Sequence, residues 1–126
     1  MRLLLDTVTF IWAMHSPNRI SGAAMAALKS ESTARELSAI SLSEMAIKRA
    51  SGRLPFDERD VRQGLADLQM RILAYTAQHA LALFGLPLHH GDPFDRQIIA
   101  QAILEDIPVV TSDRMFRLYK GLKVVW

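Results

Sequence analysis

Two short apolar runs anchor the hydropathy pattern: Leu3-Leu4-Leu5, which stops at Asp6-Thr7, and Val109-Val110-Thr111, which stops at Ser112-Asp113. Unbroken apolar runs of this length fit strands covered on both faces, the situation of parallel strands inside a sheet. Before the second run, Ile98, Ile99, Ala102 and Ile103 recur at helical spacing and predict a helix with one strongly apolar face. Asp92-Pro93 starts that helix, since the carboxylate accepts from free first-turn amides and proline lacks the N–H that would be unpaired there. Ile107-Pro108 ends it. A helix that returns the chain to a strand ending in an acid is half of an α/β crossover, so the pattern predicts an α/β fold.

The same patterning fills in the remaining elements. A helix over 8–14 follows Asp6, Ser16-Pro17-Asn18 turns, and Ser21 caps a helix through about Lys29. Glu36 to Ile40 is expected as a second strand. Ser41 and Glu44 have the spacing of a capping box and place Glu44 in the first turn of a helix that stops at Gly52. Lys48, Arg49 and Arg53 then read as a solvated basic face at the helix end. Asp57 and Asp60 form another cap, with Phe56 stapled against Val61 and Val61, Leu65 and Leu68 as the buried stripe, so both acids are assigned to structure. A third strand is expected over 70–74, a helix over 77–84 capped by Thr76, a loop over 88–91 carrying His89 and His90, a short helix over 114–119 and an edge strand over 123–126. The adjacent loop histidines match no metal-binding spacing, and a solvent or backbone contact is their expected state.

Composition bounds the chemistry. The 126 residues, half of them hydrophobic, make a single domain over 1–126 with a core large enough to need no staples. The absence of cysteine excludes disulfides, thiol catalysis and cysteine-based zinc sites, and suits a reducing, cytoplasmic compartment. No apolar run approaches a membrane span, and Met1-Arg2 leads straight into a strand rather than a signal peptide. A net charge of +2 permits a polyanionic partner without identifying one.

Four acids, Asp6, Glu44, Asp95 and Asp113, share one description: each lies where a strand gives way to a helix. Capping alone accounts for Asp6 and for Glu44 taken singly. On one rim of a parallel sheet, however, the four would raise one another's pKa values and oppose folding unless something positive sat among them. Oxygen donors without cysteine or spaced histidine suit Mg²⁺ or Mn²⁺ better than zinc. Such a cation activates water and steadies a phosphoryl oxygen, and helix N-termini on the same cleft favour a phosphate.

The motifs Leu3-Leu4-Leu5-Asp6-Thr7, Ser41-x-x-Glu44, Asp92-Pro93-Phe94-Asp95-Arg96 and Val109-Val110-Thr111-Ser112-Asp113-Arg114-x-Phe116 resemble those of a PIN-domain ribonuclease of the VapC type, the toxin of a toxin–antitoxin pair. The resemblance spans the whole chain and is most specific from His90 to Phe116. It implies a three-layer α/β/α sandwich with a central, mostly parallel sheet, and a metal-dependent endoribonuclease whose products carry a 5′-phosphate. It also implies that Asp6, Glu44, Asp95 and Asp113 hold Mg²⁺ or Mn²⁺, with Asp92 chiefly a cap. Thr7, Thr111 and Ser112 are candidates to support the ligands, and Arg96 to pair with an acid or approach the substrate. Relatives often carry histidine after the opening Asp-Thr; here the residue is Val8. The implied partners are RNA, a cognate antitoxin and a second copy of the chain, with Phe10, Ile11, Trp12 and Met14 assigned to the antitoxin groove. Two alternatives stay open: a PIN-fold RNA-processing nuclease that is not a toxin, and a receiver-like Mg²⁺-binding signalling domain, which needs a lysine such as Lys120 or Lys123 near its acids.

Overall fold

The computed structural model describes residues 1–126, in which five strands form one parallel sheet. They are β1 (Arg2–Leu5), β2 (Ala34–Ser38), β3 (Arg71–Leu73), β4 (Val109–Val110) and β5 (Val124–Val125), in the order β3-β2-β1-β4-β5. The helices are α1 (Thr7–His15), α2 (Gly22–Lys29), α3 (Ala39–Ala50), α4 (Glu58–Asp67), α5 (Ala77–Ala82) and α6 (Pro93–Glu105), with 3₁₀ turns at Pro17–Arg19, Leu83–Gly85 and Arg114–Leu118.

The apolar runs are buried on both faces, as their lack of alternation requires. Leu3, Leu5, Leu37 and Val110 enter one core with Phe10, Ala24, Leu28 and Met45. Leu4 and Val109 point the other way and pack with Ile98, Ile99, Ala102, Phe116 and Tyr119. The sheet therefore separates two helical layers. The expected apolar face of α6 is wider than its pattern suggested: Ile98 through Ala102 are all buried, with Gln101 turned from the sheet to donate to the Ala74 carbonyl.

The topology matters more for the site. From β1 the chain steps outward to β2 and then β3, returns through α5 and α6 to β4 on the other side of β1, and steps outward again to β5. Connections thus leave the adjacent strands β1 and β4 in opposite directions, which opens a crevice beyond their carboxyl ends. Asp6 follows β1 directly, and Asp113 lies just past β4.

Several expected boundaries move. The second strand begins and ends earlier than 36–40 because its pairing with β1, Leu4 to Glu36 and Leu5 to Leu37, ends where β1 does. Ser38 then caps α3 by accepting from the Ile40 amide. The Ser41–Glu44 capping box does not form: both residues lie inside α3. The Asp57–Asp60 box does form. Gly52 takes the left-handed conformation expected of it, at φ +74°. The segment after Asp113 is a 3₁₀ turn, and α5 gives way to another at Leu83.

Candidate functional site

Asp6 serves as cap and as site residue at once. Its Oδ1 accepts from the Thr9 amide at 2.8 Å, capping α1, and its Oδ2 accepts from Thr111 Oγ1 at 2.6 Å. The same Thr111 oxygen accepts the Asp113 amide at 3.0 Å, so one threonine ties the ends of β1 and β4 together. Burial pushes the Asp6 carboxyl up, against the downward pull of Thr111 and Thr9, and the Asp113 charge adds to the rise. Asp113 caps its own 3₁₀ turn through the Met115 amide at 2.9 Å.

Glu44 reaches the same rim from the interior of α3, where it is only 3% exposed. Thr7 Oγ1 donates to its Oε1 at 2.7 Å and lies 2.8 Å from Ser41 Oγ. Lys48, one helical turn on, donates to Oε2 at 2.6 Å. Lys48 therefore does not belong to the solvated basic face expected for it; it is the cation that answers the most buried part of the rim.

Asp95 stands at the first turn of α6. Burial, then the charges of Asp92, Asp6, Glu44 and Asp113, push its carboxyl up to about 7. The charges of Asp6, Glu44 and Asp113 thus all act on Asp95. Asp92 borders the cluster and acts as the cap, accepting from the Phe94 and Asp95 amides at 2.9 and 3.1 Å.

Three expectations are corrected. Arg96 pairs with no acid: its guanidinium is spent on the Pro87 and Leu86 carbonyls and the Tyr119 hydroxyl. Ser112 is exposed and leaves the support of the acids to Thr111. His90 is no solvent contact; its side chain is 13% exposed and turns inward, with Nε2 at 3.7 Å from Asp95 Oδ2. His90, Asp95 and Asp113 each offer a ligand atom, all within 4.8 Å of one another. Lys48 was detectable as an i,i+4 partner of Glu44. His90 carried no such signal, because a loop has no periodicity to aim it.

One further assignment changes. Phe10 is fully buried in the core and is no surface for a partner, while Ile11, Trp12 and Met14 are partly buried against that core. Met14 packs against α4 at Gly64, where a Cβ would collide with its sulfur. Neither late lysine serves the receiver-like alternative, since Lys123 pairs at 3.4 Å with Asp106 at the far end of α6 and Lys120 is exposed.

The donor set fits a divalent cation. Carboxylate oxygens of Asp95 and Asp113 converge beside a ring nitrogen of His90, with no thiolate among them. A concavity lies elsewhere, an apolar groove of about 630 Å³ between α3 and α4 lined by Leu42, Met45, Leu54, Phe56, Val61 and Leu65. The four acids lie outside this groove.

A family model described as the PIN domain matches residues 3–122. No curated protein matches the chain by sequence. Among solved structures, the chain is similar to VapBC2 from Rickettsia felis bound to a DNA fragment from its promoter, at TM-score 0.72 and 18% identity over 98% of this chain and 97% of that one. It is similar also to VapBC-1 from nontypeable Haemophilus influenzae, at TM-score 0.70 and 20% identity over 98% and 96%. A third is DNA-bound VapBC from Salmonella typhimurium, at TM-score 0.68 and 18% identity over 98% and 96%. At such identities the likeness establishes the shared fold.

Proposed function

The chain belongs to the PIN-domain family, and from that membership we propose that it is a VapC-type toxin, an endoribonuclease dependent on Mg²⁺ or Mn²⁺ and held in check by a cognate antitoxin. The observation that carries this reading is the cluster at the β1–β4 crevice, where burial and then the charges of Asp92, Asp6, Glu44 and Asp113 push the Asp95 carboxyl up to about 7. Folding such a cluster opposes stability, and a bound cation reverses the sign of that term.

Asp6, Glu44, Asp95 and Asp113 would hold the cation, which when bound supplies Lewis-acid polarisation of the scissile phosphate and a lowered pKa for water. Thr111 orients Asp6, and Thr7 orients Glu44. Lys48 neutralises one oxygen of Glu44, and Thr7 donates to the other.

The solved VapBC complexes make an antitoxin the fitting protein partner. The apolar groove between α3 and α4, with Arg49 and Arg62 on its border, suits an amphipathic segment of that partner. A second copy of the chain would cover Leu81, Phe84 and Leu88, which are 60%, 90% and 78% exposed around α5. The deciding experiment is cleavage of a panel of structured RNAs with Mg²⁺, with Mn²⁺ and with EDTA, beside Asp95→Asn. Discrete cuts with 5′-phosphate ends, abolished by EDTA and by the substitution, are expected. Cleavage that persists in EDTA would overturn the metal-dependent reading.

A further inference from the structure

His90 faces the acidic cluster from the loop before α6, and no role assigned so far uses it. Its Nε2 is buried without a hydrogen-bond partner, 3.7 Å from Asp95 Oδ2. Its Nδ1 lies 2.8 Å from the hydroxyl of Tyr119, a residue 2% exposed. That hydroxyl also accepts from Arg96 Nη1 at 3.2 Å and from the His90 amide at 3.4 Å. Arg96 is itself anchored by the Pro87 and Leu86 carbonyls.

A phenol has two lone pairs to accept with and one proton to give. The guanidinium and the amide can only donate, so they occupy the lone pairs and leave the tyrosine proton for Nδ1. A neutral imidazole that accepts at Nδ1 carries its own proton on Nε2. The opposite tautomer would leave the buried tyrosine O–H with no acceptor, an arrangement that costs the desolvation of a polar group for nothing.

We infer that His90 is a positioning residue whose Nε2–H, fixed by the chain Arg96–Tyr119–His90, holds the Asp95 carboxylate in place, and that His90 is not itself a metal ligand. The inference rests on the reading of the rim as a metal-dependent nuclease site. A slight swing of the carboxylate closes the 3.7 Å gap to a hydrogen bond. Partners that brace a metal ligand from behind typically change metal affinity by about 10–100-fold when removed. A direct imidazole ligand would instead need a lone pair on Nε2, and would favour transition metals over Mg²⁺.

The test begins with long-range ¹H–¹⁵N spectra of the labelled, metal-free protein, in which the His90 signals are those that vanish in His90→Leu. The Nε2–H tautomer is expected, and Tyr119→Phe, which keeps the ring packing, should give a mixture of tautomers. Calorimetric titrations with Mg²⁺ and with Mn²⁺ follow. His90→Leu should weaken both cations about tenfold and equally, whereas His90→Gln, whose amide can replace the Nε2–H donor, should restore most of the affinity. An Nδ1–H tautomer in the wild type would overturn the inference while leaving the nuclease reading intact. So would a Mg²⁺-induced shift of a deprotonated Nε2, or a loss in His90→Gln that is larger for Mn²⁺ than for Mg²⁺. A wild type that binds neither cation would overturn the metal-dependent reading, and the positioning role with it.

Discussion

The two ends of the sheet treat buried carboxylates in opposite ways. At the end where β1 begins, Arg2 grips Glu36 with two nitrogens at 2.6 and 2.9 Å and reaches Glu105 at 3.5 Å, while His79 meets Glu105 at 3.0 Å. Every acid there has a cation, and the hydrogen bond from His79 draws the Glu105 carboxyl below its ordinary range. At the other end Lys48 answers Glu44, Asp95 has only His90 at 3.7 Å, and its carboxyl is pushed up to about 7. Acids that are answered within the fold serve stability. Acids left unanswered mark where the protein expects a charge from outside.

The contrast breaks most sharply at Asp95. Asp95→Asn should reduce RNA cleavage by more than the roughly hundredfold upper range for a residue that merely braces a ligand, and initial rates on a single structured RNA would measure it. The metal-free variant should also melt higher than the wild type, because one source of repulsion is gone.

A pH series sharpens the same contrast. The folded protein keeps the Asp95 proton up to about 7, whereas the unfolded chain sheds it near 3.8. The stability this provides is fully present below the unfolded value and disappears as pH rises through about 7. Thermal melts of metal-free protein should therefore fall by several degrees between about pH 5.5 and pH 8.5, and Asp95→Asn should flatten the curve. Glu105 acts in the opposite sense: its contribution is present above the ordinary glutamate range and is lost as pH falls through its lowered value.

Adding metal should restore what alkaline pH removes. At a concentration about a hundred times Kd, Mn²⁺ should stabilise the wild type by about 2.7 kcal/mol. Differential scanning calorimetry should show little such gain for Asp95→Asn. The smallest effect belongs to the satisfied end. Arg2→Met strips the buried Glu36 of its partner, and because the Arg2 side chain is 45% exposed the loss should be only about 1–2 kcal/mol in urea unfolding. Cleavage per folded molecule should not change.

Much of this was legible in the chain. The unbroken runs at Leu3–Leu5 and Val109–Val110 gave the central strands, and Asp92-Pro93 gave the start of α6, because strand burial and helix capping act over a few neighbouring residues. The start of α3 was harder to place. Ser38, Ser41 and Ser43 can each cap a helix, and which one does so depends on where β2 stops against β1. Glu44 thus reaches the rim from the middle of a helix rather than from its first turn.

By itself, then, the sequence determined a parallel α/β sheet with Asp6, Asp95 and Asp113 at element ends, since hydropathy and capping are local and leave periodic marks. Only the tertiary structure decided which charges are matched. Thr111 bridges Asp6 and Asp113, Lys48 closes on Glu44, Arg96 is consumed by carbonyls, and His90 turns inward toward Asp95. Apart from the Lys48–Glu44 pair, these contacts turn on how strand ends and loops meet in space. Directional hydrogen bonds and Coulomb forces depend on those distances, and no spacing along a chain records them.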